Sequence, residues 1–267
     1  DDQKVVWAAG FGFQKEKTPA TAETVYRVGS VSKLFTDVAI MQLVEEGKLD
    51  LDAPVAKYVP EFKPAYRDGQ KEVTLRMLMA HRSGLVREPP VGNYFDPTEP
   101  SLEKSVLSMN GIEPTYPPGE RTKYSNGAIG LVGFVVQKVG GEKFEPYLQR
   151  RVLDPLGMNA SSFAPTPAVR KNLADAVMWT HHGREFPAPT FELGVAPAGC
   201  MYSTVLDIAK FQACLFAGGK ANGKQLLKPE TIAEMFRPQF TKTEGQRGFG
   251  LGFVIGDLDG HKRVGHG

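Results

Sequence analysis

A long apolar run after Ser30-Val-Ser-Lys33 constrains the fold of this chain more than any other feature. A short apolar segment, residues 25–28, turns at Gly29 and leads into a predicted helix. That helix ends near Gly47, since glycine readily adopts the left-handed conformation that closes helices. Apolar residues cover almost every side of it: Leu34, Phe35, Val38, Ala39, Ile40, Met41, Leu43 and Val44. Because a helix that is apolar all round is buried, we expect it at the centre of a globular protein.

Ser30 and Lys33 occupy the first turn of this helix at a spacing that puts both side chains on one face. A serine hydroxyl becomes a good nucleophile only when a neighbouring base takes its proton. A buried lysine can lose its charge through desolvation and act as that base. The helix N-terminus adds free N–H groups that favour an oxyanion at the serine. The pattern therefore predicts nucleophilic chemistry at Ser30.

The same spacing also fits a purely structural interpretation. Ser30 or Ser32 would then be an N-cap, and Lys33 a surface charge. Ser101 and Lys104 repeat the spacing in a polar context that predicts an ordinary helix start. The spacing alone does not separate the two interpretations, and the apolar helix behind Ser30 is what favours the catalytic one.

Composition describes a globular protein of 267 residues, with 41% hydrophobic and 23% charged residues. This length suits one large domain or two closely joined ones. The net charge of +2 comes from basic and acidic residues spread along the chain, so no basic patch predicts nucleic acid or an anionic membrane. Cys200 and Cys214 form neither a metal-binding spacing nor a disulfide framework, and we expect two free thiols and no metal or cofactor.

Strand patterns lie near both ends of the chain, and helical patterns dominate its middle. This order predicts an α/β (α+β) protein in which residues 1–50 and 195–267 form the sheet domain and residues 51–194 an inserted, mainly helical domain. Predicted strands cover residues 4–13, 25–28, 249–256 and 262–266, with a hairpin turn at Asp259-Gly260. Predicted helices cover residues 74–80, 101–109, 127–139, 144–153, 205–216 and 229–236.

Several motifs together resemble the serine β-lactamase and penicillin-binding protein superfamily. The resemblance is closest to its Tyr-x-Asn branch, which contains class C β-lactamases, D-Ala-D-Ala carboxypeptidases and family VIII carboxylesterases. The motifs cover nearly the whole chain in the family's order: Ser30-Val-Ser-Lys33, Leu49-Asp-Leu-Asp52, His81-Arg-Ser-Gly-Leu85, Tyr124-Ser-Asn126, Asp154-Pro-Leu-Gly-Met158, Pro197-Ala-Gly199 and Gly250-Leu-Gly252. The resemblance implies a β-lactamase-like fold, with an antiparallel sheet flanked by helices.

The resemblance also implies roles. Ser30 would be acylated, and Lys33 and Tyr124 would share the work of the base. Because an ordinary tyrosine has a pKa of about 10, Tyr124 would need the Lys33 cation to lower it. Asn126 would orient Lys33 and a substrate carbonyl or amide. For Tyr124 and Asn126 the structural alternative is a core tyrosine beside a helix N-cap. His81 is expected to belong to a structural turn rather than to be a catalytic histidine.

The third motif of the family is the least clear. The family has Lys-Thr-Gly or His-x-Gly on a strand at this point. His181-His182-Gly183 fits the letters but lies in a stretch without a strand pattern, whereas His266-Gly267 ends a predicted strand. We therefore predict that His266 and Gly267 border the site. Since family members continue past this motif, we expect these residues to be a segment of a longer polypeptide, poorly active or unstable by itself.

Three functions follow from the resemblance. The first is a carboxylesterase acting on small esters, because a site without Lys-Thr-Gly has a weaker fixed cation for a substrate carboxylate. The second is a β-lactamase or D-Ala-D-Ala carboxypeptidase. The third is a non-catalytic, penicillin-binding-like scaffold. We expect a small ester, amide or β-lactam as substrate, no nucleic acid partner, no membrane segment in this chain and, from the resemblance, a periplasmic or secreted protein.

Overall fold

The computed structural model describes residues 4–240 and 248–267 and is built around a buried helix, α1, Ser32–Glu45. All residues from Ser32 to Leu43 are buried, as the apolar run predicts. A 3-10 turn, Gly29–Val31, precedes α1, so Ser30 lies just before the α-helix. Gly47 follows the helix with φ +70°, in the left-handed region expected there.

The six other predicted helices all occur with nearly the predicted bounds, and the structure adds short helices at residues 154–156, 167–172 and 196–199 that were not predicted. Side-chain caps explain several of the helix starts. Thr74, Ser101, Ser125 and Thr204 each accept a hydrogen bond from a backbone N–H of the first turn. The helices are α2 Leu75–Met79, α3 Leu102–Leu107, α4 Asn126–Gly140, α5 Phe144–Leu148, α6 Asp154–Leu156, α7 Pro167–Asn172, α8 Ala196–Gly199, α9 Val205–Phe216 and α10 Pro229–Met235. The predicted helix 144–153 continues after α5 as a π-helical turn, Gln149–Leu153.

Helix α4 packs against α1 and α8, and two of its glycines allow the close approach of α8. A Cβ at Gly130 would meet Val195 at 2.6 Å, and a Cβ at Gly133 would meet the Pro197 ring at 2.1 Å. Both glycines are therefore needed to seat α8 between α4 and the start of α1. This packing brings the carbonyl of Ala198 to the side chain of Lys33.

Short antiparallel strands take the place of the larger sheet that the sequence predicts. Residues 4–12 are not a strand, although they read as one, because a strand forms only where another chain segment completes its ladder. The pairs are β1 Phe13–Lys15 with β2 Thr18–Pro19, β3 Tyr26–Arg27 with β6 Tyr202–Ser203, β4 Val177–Trp179 with β5 Glu185–Pro187, and β7 Lys220–Ala221 with β8 Lys224–Gln225.

The hairpin near the C-terminal end of the chain is confirmed. Strand β10, Val254–Leu258, pairs with β11, His261–Gly265, and β9, Gly248–Phe249, lies on its other side. Asp259 and Gly260 form the turn with φ +52° and +77°, as a two-residue hairpin loop of the primed type requires. Residues 250–253 interrupt the predicted strand 249–256, since Gly250 packs directly on the carbonyl of Met235.

One hydrophobic cluster runs through most of the described chain and includes side chains from both predicted domains. The division into a sheet domain of 1–50 with 195–267 and a helical domain of 51–194 therefore stays a prediction. Within the described ranges, no helix is both long and apolar enough to cross a membrane. Cys200 and Cys214 are buried free thiols, as predicted.

Candidate active site

Ser30 receives two hydrogen bonds on its side-chain oxygen. Lys33 Nζ donates to Ser30 Oγ at 3.0 Å, and the Tyr124 hydroxyl donates to the same atom at 2.7 Å. The first contact follows from helical spacing, and the second joins residues that are far apart in sequence. The structure thus brings together the three residues that the sequence predicts for the chemistry.

Lys33 is completely buried, so the interpretation as a surface charge is wrong. Its Nζ also donates to the carbonyl of Ala198 at 2.6 Å and lies 4.9 Å from the centre of the Tyr124 ring. Burial lowers the pKa of Lys33 to about 7, with a further decrease from Arg87 and opposing increases from Asp37 and Glu88. A substantial fraction of Lys33 is therefore uncharged near neutral pH and able to accept a proton.

Ser32 stabilises the turn that presents Ser30. Its hydroxyl donates to the carbonyl of Gly29 at 2.5 Å and accepts from the backbone N–H of Met201 at 3.0 Å. Gly29 has φ +54°, a conformation that favours glycine and allows the chain to turn sharply into α1. Since Met201 adjoins β6, Ser32 connects the turn to the segment paired with β3.

Tyr124 precedes the N-cap of α4 and packs on His81, with 4.3 Å between the ring centres. Burial raises the pKa of Tyr124 above its ordinary value. The expectation that Lys33 lowers this pKa is therefore wrong, because the loss of hydration outweighs the neighbouring charges. Tyr124 carries its proton near neutral pH and serves as a donor to Ser30 in this structure.

Asn126 does not make the predicted contact with Lys33 in the described hydrogen bonds. Ser125 rather than Asn126 is the N-cap of α4, and Asn126 begins the helix with only 2% of its surface exposed. Its side-chain Nδ2 donates to Glu88 Oε1 at 2.7 Å. The orienting role predicted for Asn126 toward Lys33 is therefore not what this geometry shows, since the amide is engaged by a carboxylate.

His266 follows β11 and lies beside the site, whereas His181 does not. The ring centres of His266 and Tyr124 are 6.0 Å apart, and burial lowers the pKa of His266, with a smaller contribution from the Lys33 charge. His266 Nδ1 lies 2.9 Å from the carbonyl oxygen of Gly267, which is exposed. His181 is exposed in the turn of the β4–β5 hairpin, in a stretch where the sequence showed no strand pattern.

Three residues near the site, His81, Arg87 and Glu88, were given no catalytic or binding role from the sequence. His81, expected to be a structural turn residue, has φ +54° and accepts a hydrogen bond from the Ser125 N–H at 3.3 Å through Nδ1. Burial lowers the pKa of His81 to about 3, so its ring is neutral. Arg87 and Glu88 begin a proline-rich loop, residues 87–100. A charged pair just after the His81 motif was the one available signal.

The second Ser-x-x-Lys pattern is structural, as predicted. Ser101 Oγ accepts a hydrogen bond from the Lys104 backbone N–H at 3.2 Å, which is the geometry of an N-cap. The two patterns have identical spacing, and only the surroundings separate them. Lys104 is exposed, whereas Lys33 is enclosed by α1, α4 and α8.

Comparison with known proteins adds independent information. A family model described as Beta-lactamase matches residues 1–267. Beta-lactamase-like protein 2 of Dictyostelium discoideum is 29% identical over 264 residues, which cover 94% of this chain and 47% of that protein. The chain thus spans about half the length of this curated relative.

Solved structures show the same similarity. A penicillin-binding protein homologue from Pyrococcus abyssi, described as octameric, superposes with a TM-score of 0.82 and 32% identity, covering 100% of this chain and 62% of that one. A hydrolase described as having promiscuous acyltransferase activity superposes with a TM-score of 0.78 and 25% identity, covering 94% of this chain and 75% of that one. The similarity confirms the fold that the motifs predicted.

Proposed function

Because the chain belongs to the beta-lactamase family, we propose that it is a serine hydrolase that forms an acyl-enzyme at Ser30 and acts as a carboxylesterase on small esters. One observation carries this proposal: Ser30 Oγ accepts hydrogen bonds from both Lys33 and Tyr124. Packing alone does not require a fully buried lysine amine against a serine hydroxyl. Burying an amine destabilises the fold unless the amine makes hydrogen bonds and is either uncharged or paired with an opposite charge.

Acylation begins when uncharged Lys33 takes the proton of the Ser30 hydroxyl. Ser30 Oγ then attacks the ester carbonyl, and the carbonyl electron pair moves onto its oxygen. The Ser30 N–H, in the first turn before α1, is a donor for that oxyanion. When the tetrahedral intermediate collapses, the bond to the leaving oxygen breaks and Tyr124 donates its proton to that oxygen. Lys33 returns its extra proton to Tyr124, and the acyl-enzyme remains.

Deacylation repeats this sequence with water as the nucleophile. Lys33 accepts a proton from water, and the resulting hydroxide attacks the acyl carbonyl. Collapse of the second intermediate breaks the bond to Ser30 Oγ, which takes the proton that Lys33 accepted from water. The products are a carboxylic acid and regenerated Ser30. Similarity to a hydrolase with acyltransferase activity supports an acyl-enzyme that can react with more than one acceptor.

His266 favours an uncharged ester as the substrate. Burial lowers its pKa, so the imidazole is neutral at and above neutral pH. A neutral ring provides no fixed positive charge for a substrate carboxylate at the position where relatives with Lys-Thr-Gly have a lysine. A hydrophobic acyl group next to Tyr124 and His266 requires no such charge.

A β-lactamase or D-Ala-D-Ala carboxypeptidase is the second candidate, and Arg87 is the observation that favours it. The exposed Arg87 guanidinium lies 5.3 Å from the centre of the Tyr124 ring. A guanidinium at the edge of the site can bind a carboxylate in bidentate geometry. Similarity to a penicillin-binding protein homologue points the same way. The non-catalytic scaffold is disfavoured, because it gives no reason for the buried contact between Ser30 and Lys33.

Mass spectrometry after treatment with a fluorophosphonate and, separately, with a β-lactam tests these functions. We expect the fluorophosphonate to label Ser30 and the β-lactam to leave the protein unmodified. Labelling by both reagents supports the second candidate, and labelling by neither supports the scaffold. Ser101→Ala, which alters the structural Ser-x-x-Lys pattern, is the matched control and should label normally. Ser30→Ala should not label.

A further inference from the structure

Tyr94, in the proline-rich loop, reaches across the candidate site to helix α8. Its hydroxyl oxygen lies 4.0 Å from the position that a Cβ on Gly199 would occupy. Gly199 follows Ala198, whose carbonyl accepts a hydrogen bond from Lys33. On the other side, the Tyr94 hydroxyl is a hydrogen-bond neighbour of the Asn126 side chain. Tyr94 therefore bridges the start of α4 and the end of α8.

Contacts on both sides of Tyr94 hold the loop in place. The Gly194 N–H donates to the Gly92 carbonyl at 3.0 Å, two residues before Tyr94. The two glycines lie so close together that a Cβ on Gly92 would be 2.8 Å from the Gly194 Cα. After Tyr94, the side chain of Glu99 accepts a hydrogen bond from the Glu192 N–H at 3.0 Å through Oε1. The position of Tyr94 is therefore fixed by packing of the loop against residues 192–194.

The Tyr94 side chain belongs to the site rather than to the outer surface. Tyr94 is 50% exposed, whereas the next residue, Phe95, is 93% exposed. Burial raises the pKa of Tyr94, with a smaller increase from the charge of Glu88. Burial is also the main cause of the raised pKa of Tyr124, and Tyr94 adds to that increase. The Tyr94 hydroxyl thus lies within electrostatic reach of the tyrosine that donates to Ser30.

The acyl part of an ester stays bonded to Ser30 Oγ after the alcohol has left. Ser30 Oγ accepts a hydrogen bond from Lys33, and Lys33 also donates to the Ala198 carbonyl. The acyl chain therefore begins beside the end of α8. A chain that runs along α8 from this point meets the Tyr94 side chain at the next residue, Gly199. Tyr94 is placed where it ends the space for the acyl chain.

The alcohol part has a different and more open route. In the proposed mechanism Tyr124 protonates the leaving oxygen, so the alcohol departs beside the Tyr124 hydroxyl. The exposed Arg87 guanidinium lies 5.3 Å from the centre of the Tyr124 ring, which places solvent at this edge of the site. We therefore expect changes at Tyr94 to affect the acyl part of an ester and not its alcohol part.

Resting on the proposed hydrolase function, we propose that Tyr94 determines specificity for the acyl group: its ring closes the acyl end of the cleft against Gly199 and stops longer chains. Gly199 has no side chain, which allows the Tyr94 hydroxyl to come this close to α8. A longer chain would have to displace the ring, because close-packed groups leave no room for extra methylene groups. Leu193 lies 3.9 Å from the same Cβ position, and a longer chain would contact it once the ring is removed.

Esters that differ in only one part test this role in the full-length protein. In Tyr94→Ala, the ratio of kcat/KM for p-nitrophenyl octanoate to that for p-nitrophenyl butyrate should rise at least about tenfold, because the added methylene groups gain apolar contact. Tyr94→Phe keeps the ring and should leave this ratio unchanged. Phe95→Ala removes an exposed ring from the same loop and is the matched control, with the ratio again unchanged.

Two results of this series overturn the proposal. One is an unchanged acyl ratio in Tyr94→Ala. The other is an equal rise in the ratio of hexyl butyrate to ethyl butyrate, because that rise would place Tyr94 at the alcohol end of the cleft. The proposal requires that the alcohol ratio stay constant while the acyl ratio changes.

Amide binding to the Ser30→Ala variant separates this proposal from the proposed function. In that background, calorimetry should show that Tyr94→Ala tightens octanamide binding relative to butyramide binding at least about tenfold. If esters are hydrolysed but neither the acyl ratio nor octanamide binding changes, the role of Tyr94 is overturned and the hydrolase stands. If no ester is hydrolysed while octanamide binding tightens, the role of Tyr94 stands and the hydrolase fails.

Discussion

Asp37 lies one helical turn after Lys33 on α1, and both side chains are fully buried. Neither carboxyl oxygen of Asp37 has a hydrogen-bond partner among the described residues. Burial raises the pKa of Asp37 well above its ordinary value, and Lys33 partly opposes this increase. In return, Asp37 raises the pKa of Lys33. The proposed base therefore has a buried acidic neighbour that adjusts its proton affinity.

The first prediction concerns the pH dependence of ester hydrolysis. Since Lys33 must be uncharged to take the Ser30 proton and its pKa is about 7, kcat/KM should rise with pH and level off above that value. A pH profile between 5 and 9 measures this limb. His81, whose pKa burial lowers to about 3, should add no inflection in that range. A profile that is flat from pH 5 upward would contradict Lys33 as the base.

Replacing Asp37 should change the pH at which kcat/KM rises. Asp37→Asn keeps the shape of the side chain but removes the charge that raises the Lys33 pKa. The rise of kcat/KM with pH should therefore shift to lower pH. Arg87, Glu88 and Cys200, the other groups that act on the Lys33 pKa, are unchanged in the variant. Gln42→Met, a buried polar site further along α1, is the control and should leave the limb in place.

The same variant should change how stability depends on pH. Because the folded-state pKa of Asp37 lies above its unfolded value, its contribution to stability is present below the unfolded pKa, about 4, and is lost as the pH rises through the folded pKa. The free energy of unfolding of Asp37→Asn should therefore increase relative to the parent protein as the pH rises above about 4. Urea unfolding at several pH values measures the difference, and a constant difference would show that Asp37 does not titrate in this way.

Tyr124→Phe should reduce activity far more than stability. The change removes the hydroxyl that donates to Ser30 Oγ and keeps the ring that packs on His81. Loss of a positioned proton donor should lower kcat by roughly 10²–10³-fold. Tyr58→Phe removes a hydroxyl that accepts from the Asp50 N–H, remote from the site, and serves as the control. Equal activities of the two variants would remove Tyr124 from the mechanism.

Gly252→Ala should destabilise the fold behind the site. Gly252 has φ +82°, and a Cβ there would meet Asp37 Oδ2 at 2.3 Å. Strain and overpacking together should cost roughly 2–4 kcal/mol of unfolding free energy. Gly256→Ala, in β10 with open space around its Cα, should change stability by less than about 1 kcal/mol. Thermal or urea unfolding of the pair gives the comparison.

The sequence predicted the long helices well because their signals are local. The apolar run after Ser30 and the capping residues Thr74 and Ser101 define helix position through contacts within a few residues. The β10–β11 hairpin was predicted for the same reason, because its turn signal, Asp259-Gly260, lies within the hairpin itself. Residues 4–12 and 250–253 were wrong as strands because a strand depends on a partner that periodicity does not reveal.

Local spacing determined that Ser30 and Lys33 meet on one face of a buried helix, and the motif order was enough to identify the fold. Tertiary structure decided everything that depends on partners from elsewhere in the chain. In the folded protein Lys33 is buried and donates to the Ala198 carbonyl, and the Asn126 amide donates to Glu88. Folding also raises the Tyr124 pKa rather than lowering it. Desolvation and long-range hydrogen bonds arise only when distant segments pack, so pKa direction and partner choice are properties of the folded protein.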